Sequence, residues 1–222
     1  MQKRVQKKGM ATSAKRHDSA GTRSAILKAA EQIYAESGLA GARTDAITAA
    51  AGVNKALLYY YFKSKEDLFQ AVIGSQLREF GRKAEEVLTA KGPAGPILLR
   101  YVGYHFDFIG THPSYPRIFQ RMMMEGDRTL VRIVREHSIP LMKMMSALLV
   151  RGMKSGEFRR LNPEHTLVSI AGLTGHYFNI APAIRAITGK DPYSKRNLAR
   201  RKAEALKFIR FAVFRNPEAA ES

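Results

Sequence analysis

TDAITAAAGVNKALLYYYFKSKEDL, Thr44 to Leu68, is the stretch that decides the fold. Two short runs with apolar residues at helical spacing, Thr44–Ala51 and Lys55–Phe62, are separated by a break at Gly52. Thr44 can accept at the start of the first run, Asp45 suits its positive end, and Ile47 and Ala50 are expected to face inward. Gly52 supplies the left-handed residue that turns the chain, Val53 fills the corner, and Ile47 against Leu58 sets the crossing. Asn54 caps the second run, and Ser64 with Asp67 three positions on reads as a capping box that opens a longer helix. The outer face of the second run then carries Asn54, Lys55, Leu57, Tyr59 and Tyr60. Amide, ammonium, apolar and phenolic groups of this kind suit phosphates and base edges. Two short helices around a glycine bend form a helix-turn-helix, whose second member enters the major groove of DNA.

Outward from this motif, apolar residues keep helical spacing and never alternate for long, so the fold class is all-α. A first helix over Thr22–Ser37 places Ile26, Ala30, Ile33 and Tyr34 on one stripe and stops at Gly38. Residues 1–20 read as a disordered basic arm, 21–66 as the helix-turn-helix domain, 67–215 as a helical effector-binding and dimerisation domain, and 216–222 as a tail. In the larger domain Ile97–His112 is apolar around most of its circumference and is expected to be central. A stripe from Tyr115 to Met123 follows, then one from Ile133 to Leu148 that Pro140 should bend. Two last helices are expected over Pro163–Ile187 and Ser194–Phe214.

The composition narrows the function classes. The 222 residues are 45% hydrophobic and 25% charged, a globular balance, and no apolar run approaches the roughly 20 residues that span a bilayer. The first 25 residues lack the apolar centre of a secretory signal, so a cytoplasmic location is expected. With no cysteine there are no disulfides, thiolate zinc sites or thiol nucleophiles. His105, His137 and His176 have no paired metal-ligand spacing, and neither a metal nor a cofactor is expected. No nucleophile elbow, phosphate-cradling glycine loop or HExxH is present, which argues against an enzyme. The net charge of +18 points to a polyanionic partner. It is densest at the ends, with six bases against one acid in residues 1–20 and eight against three in residues 194–222. Charge alone would also fit a sequence-tolerant DNA-coating protein, the competing reading.

Residues Thr44–Leu68 resemble the tetracycline-repressor (TetR/AcrR) family. The glycine and valine of the turn, Leu58-Tyr59-Tyr60, Phe62 and Ser64-Lys65-Glu66 all stand at the family's spacing. The detailed resemblance covers Thr22 to Val72. Beyond it, only the helical layout, Gly156-Glu157-Phe158 and Thr188-Gly189-Lys190-Asp191-Pro192 are similar. Leu57 departs from a frequent threonine or serine, which substitutes a thymine-methyl contact for a hydroxyl one, and Tyr61 replaces a frequent histidine.

Carried over by position, the resemblance implies that Thr44 binds a phosphate, Lys55 and Tyr60 enter the groove, and Tyr59 and Lys65 hold the DNA backbone. It assigns effector binding to the middle of the chain, where Tyr104, His105, Phe108, Phe119, Met123, His137 and Met144 suit an apolar, adaptable pocket for a small apolar or amphipathic effector. Seven of the nine methionines fall between Met122 and Met153, and flexible thioethers refit around varied shapes. For a homodimer, Ile170, Thr174, Tyr177 and Phe178 with Leu206, Ile209 and Val213 are the candidate interface, with Gly172 and Gly175 permitting close approach. The alternative is that both stripes face the protomer's own core. The resulting expectation is a dimeric transcriptional regulator, a repressor released from a palindromic DNA operator by a small molecule.

Overall fold

The structure, a computed structural model, describes the backbone of residues 3–125 and 128–218 and the side chains of residues 19–124 and 131–218. The helices in order are α1 (Lys3–Gly41), α2 (Thr44–Ala51), α3 (Lys55–Tyr61), α4 (Lys65–Leu88), α5 (Ala94–Thr111), α6 (Ser114–Glu125), α7 (Arg128–Ile133), α8 (Ile139–Lys154), α9 (Pro163–Asn179), α10 (Ala181–Thr188) and α11 (Lys195–Val213). A π-helical turn, Val134–Ser138, joins α7 to α8. The fold is all-α, and among the described residues only an isolated bridge between Phe158 and Phe214 has β pairing. No single described helix is long and apolar enough to cross a membrane.

Two compact units divide at Ser75 and Gln76 rather than at residues 66 and 67. The shift has a packing cause: Leu68, Phe69 and Val72 in the first turns of α4 are buried, with the Phe69 ring edge-on to Tyr34 of α1 at 5.0 Å. α1 also begins earlier than expected. Its backbone is helical from Lys3, through the segment read as a disordered arm, which contains no proline and several strong helix formers. The side chains of that segment, and residues 219–222 of the expected tail, lie outside the described residues. Gly38, at φ 69° and ψ −177°, breaks α1 three residues before its end, because only glycine enters that region without cost.

In the second unit α5 is central. Ile97, Leu98, Val102, Phe106 and Ile109 are buried, and the helix packs against α8, α9 and α11. Its first turn is held by the chain just after α8. Gly156 at φ 80° turns Glu157 back, and the two carboxylate oxygens accept from the backbone N–H groups of Ala94 at 3.0 Å and Gly95 at 2.8 Å. A carboxylate at a helix start satisfies otherwise unpaired donors and complements the helix dipole. The next residue, Phe158, lies on Gly152 of α8 so closely that a Cβ there would meet the ring at 2.2 Å. Arg159 N–H donates to Val213 and Arg215 N–H to Glu157, both at 2.9 Å, so α11 is fastened to the same clasp.

The helix expected over Pro163–Ile187 is two helices bent by 58° at Ile180. Pro182, with no N–H and a ring that crowds the preceding turn, stops α9 and sits in the first turn of α10. The bend expected at Pro140 takes the form of the π turn before it.

A Gly152→Ala variant is expected to lower unfolding stability by about 1 to 3 kcal/mol through overpacking against Phe158, measured by denaturant titration. For Glu157, burial would raise the carboxyl pKa, but the N–H groups of Gly95 and Ala94, the Ser155 hydroxyl and the charge of Arg151 outweigh it and hold the group below its ordinary 4.5. The stability it contributes is therefore complete above about pH 4.5 and is lost as pH falls through the lower folded value. The difference between the wild type and Glu157→Gln should narrow below that pH in melting curves.

Candidate nucleic-acid interface and effector cavity

The face of the first unit is set by the packing of α3 on α2. Leu58 and Ile47 both have 0% exposure, so α3 lies on α2 with its opposite side outward. Gly52 makes the turn at φ 66° and ψ 32°, and Val53, half-buried, follows it. The Asn54 side chain accepts from Leu57 N–H at 2.8 Å, the expected cap. Tyr60 is 79% exposed and Tyr59 44%, while Phe62 is buried with the Arg23 guanidinium 5.1 Å from its ring centre. Tyr61 is half-buried, edge-on to Tyr60 at 5.2 Å.

Three placements differ from expectation. Arg43 holds the N-cap position of α2 without a side-chain cap, so Thr44 is the first helical residue rather than its cap. Ala50 is exposed, and Thr48 is buried instead. The Lys65 ammonium donates to the carbonyls of Ala40 and Ala42, both at 3.3 Å, closing the end of α1. An ammonium has three donors, so one is left for a phosphate. The sequence reading missed the partner of Lys55, which pairs with Asp45 at 2.8 Å in a solvent-exposed ion pair. Their hydrogen bond raises the Lys55 pKa and lowers that of Asp45. Such a pair is screened and exchangeable, so a phosphate or base edge can replace the carboxylate. Arg43 and Lys63, both exposed, add charge near this face and were also missed; a base directly ahead of Thr44 was the available signal.

The second unit contains a cavity of about 270 Å³. Of the seven residues expected in a pocket, His105, Phe119 and His137 line it. Tyr104 instead stacks on Phe80 at 5.4 Å and donates its hydroxyl to the Phe80 carbonyl at 3.3 Å. Phe108 is buried against Phe80, His112 and Tyr115. Met123 is 54% exposed, and Met144 packs on the main core. Phe80, Tyr101, Tyr115 and Ser138 line the cavity unforeseen, because periodicity shows which residues are apolar but not which of two inward sides opens on a void. Burial pushes the His105 pKa down to about 4 and the Tyr115 pKa up to about 12, and raises that of Tyr101 as well.

The expected dimer stripe is mostly the protomer's own core. Ile170, Thr174, Phe178, Ile209 and Val213 are at most 3% exposed, and Tyr177 and Leu206 are half-buried. Helices α9 and α11 are apolar on more than one side, so spacing alone did not separate core from surface. Their outward residues include Val168 at 67%, Phe208 at 63% and Phe211 at 47% exposure, and a Cβ on Gly172 or Gly175 would meet nothing within 4 Å.

Comparison with known proteins matches residues 26–72 to bacterial regulatory proteins of the tetR family and residues 97–209 to the tetracyclin repressor-like C-terminal domain. The HTH-type transcriptional regulator RutR of Escherichia coli strain K12 is 31% identical over 165 residues, 74% of this chain and 77% of RutR. The fatty acid metabolism regulator protein of Bacillus subtilis is 25% identical over 134 residues, 60% of this chain and 69% of its own. Among solved structures, FadR from Bacillus subtilis in complex with stearoyl-CoA has a TM-score of 0.67 at 21% identity, covering 83% of this chain and 96% of its own. A putative transcriptional regulator from Saccharomonospora viridis in complex with choline has a TM-score of 0.70 at 17% identity, covering 87% and 98%.

Two substitutions separate the roles of the Lys55–Asp45 pair. Lys55→Ala should relax preference at one base position, a loss of about 1 to 3 kcal/mol in discrimination. Asp45→Asn should tighten binding to every duplex by removing an anion from the face. Competition titrations with duplexes altered base by base read both effects.

Proposed function

The chain belongs to the TetR family of bacterial transcriptional regulators, and from that premise we propose that it is a repressor that binds a palindromic operator as a homodimer and leaves it when a small molecule fills the second unit's cavity. The observation that carries this reading is the outward presentation of Lys55, Tyr59 and Tyr60 on a seven-residue helix whose other side is sealed by Leu58. Tyr60 at 79% exposure has a large apolar ring with a polar tip in water, an arrangement that DNA would cover.

So short a helix reads few bases, and specific affinity then needs two copies on one duplex, about 34 to 36 Å apart. Val168, Phe208 and Phe211 supply outward apolar surface on α9 and α11 for a second copy. Thr44 contributes a first-turn N–H to a phosphate, Lys65 its remaining donor, and Leu57 an apolar contact. α4 gives Leu68, Phe69 and Val72 to the first unit's core and Leu77 and Phe80 to the cavity wall, so cavity occupancy acts on the helix that also supports the DNA face. An effector preferring the released state needs a coupling of only about 1 to 3 kcal/mol to change occupancy roughly 5- to 150-fold.

Selection from random duplexes should return an inverted repeat bound at least about a thousandfold more tightly than bulk DNA at physiological salt. Binding that follows charge alone, with no symmetric site, would replace this reading by the DNA-coating one. A Phe208→Asp, Phe211→Asp double variant should sediment as a monomer and lose the inverted repeat; a dimer that persists would move the interface elsewhere.

A further inference from the structure

The chemistry of the cavity wall restricts what can fill it. Its lining includes Tyr101, Tyr115, Ser138, His105 and His137, and among the described residues that line it there is no lysine, arginine, aspartate or glutamate. A carboxylate, phosphate or ammonium entering it would give up part of its hydration with no opposite charge among these residues to receive it. The cavity's own groups respond to the same desolvation: it favours the neutral form of His105, which would be a cation, and of Tyr115, which would be an anion.

One polar atom of the wall, Nε2 of His105, takes its role from a contact on the other side of the ring. The Thr174 hydroxyl, fully buried, lies 2.8 Å from the Ile170 carbonyl oxygen and 2.9 Å from Nδ1 of His105. A hydroxyl has a single proton and a carbonyl has none, so the short contact to Ile170 requires that proton. The contact to His105 is then a hydrogen bond only if Nδ1 carries hydrogen and donates to the Thr174 oxygen. Nε2 of the neutral ring is left as a bare acceptor on a residue that lines the cavity. The ring is fixed between Phe80, with centroids 5.3 Å apart, and Tyr101 at 6.2 Å. The π turn Val134–Ser138 ends at the same wall and brings His137 and Ser138 to it, and such turns occur frequently at functional sites.

We propose that the cavity takes an uncharged amphiphile whose apolar body packs on Phe80, Phe119, Leu141 and Met145 and whose hydroxyl or N–H group donates to Nε2 of His105. This rests on the effector reading of the cavity given above. Polar discrimination comes from the donor: a ligand of equal shape without one leaves Nε2 buried and unpaired.

The test uses the full-length protein and four probes of one shape: benzyl alcohol, benzyl methyl ether, benzoate and benzylammonium, titrated calorimetrically. Benzyl alcohol should bind, the ether about tenfold more weakly, and neither ion measurably. His105→Phe should abolish the difference between alcohol and ether. Independently of any ligand, nitrogen-15 NMR of His105 should show a protonated Nδ1 and an unprotonated Nε2. Benzoate or benzylammonium binding at least as tightly as benzyl alcohol, an ether equal to the alcohol, or a proton on Nε2 would each overturn the proposal. Operator binding by the same preparation separates the two levels. Alcohol binding without operator binding would sink the regulator reading and leave the cavity chemistry standing, whereas operator binding with a preference for benzoate would do the reverse.

Discussion

The burial of Leu58 and Ile47 where α3 packs on α2 is the constraint on which the DNA-facing unit of the molecule depends. A helix of seven residues has too few backbone hydrogen bonds to persist alone and takes its stability from tertiary packing. With Leu58 wholly buried, the helix can turn in only one way, and Lys55, Tyr59 and Tyr60 are placed outward by the 100° step between residues. Gly52 sets the direction in which the chain enters α3, and Asn54 determines where the helix begins. Neither a base-reading role for Lys55 nor a phosphate role for Tyr59 has meaning without that rotation.

The same logic explains what was legible in the sequence. The helix-turn-helix is local: a left-handed glycine, a cap two residues later and apolar residues three and four apart lie within a single stretch, and the structure reproduces them. Local signals also located Gly38 and the central α5. Features that depend on residues far apart were not readable. The Lys55–Asp45 pair depends on how α2 crosses α3, and the two Lys65 bonds on where α1 ends. On α9, Ile170, Thr174 and Phe178 carry the same helical spacing whether they face α5 or another copy, and only packing decides for the core.

In the second unit, the clasp around Glu157 plays the part that Leu58 plays in the first. One phrase, Gly156-Glu157-Phe158, closes the end of α8, caps α5 and pairs with the end of α11. α5 in turn carries Tyr101 and His105 to the cavity, so the acceptor in the wall is positioned by a helix fixed at its start, and the ring's orientation by Thr174 on α9. The sequence contained the phrase, but nothing in it indicated that three helices meet there.

The account's central claim, that α3 is the surface that enters DNA, is tested most directly by chemical footprinting of the protein. Tyrosine nitration and lysine acetylation would be quantified by mass spectrometry with and without the selected duplex. Tyr60 and Lys55 should react readily in the free protein and be protected when the duplex is bound, while Lys190, distant in sequence and exposed, keeps its reactivity. Unchanged reactivity of Tyr60 and Lys55 on a saturating duplex would contradict the claim.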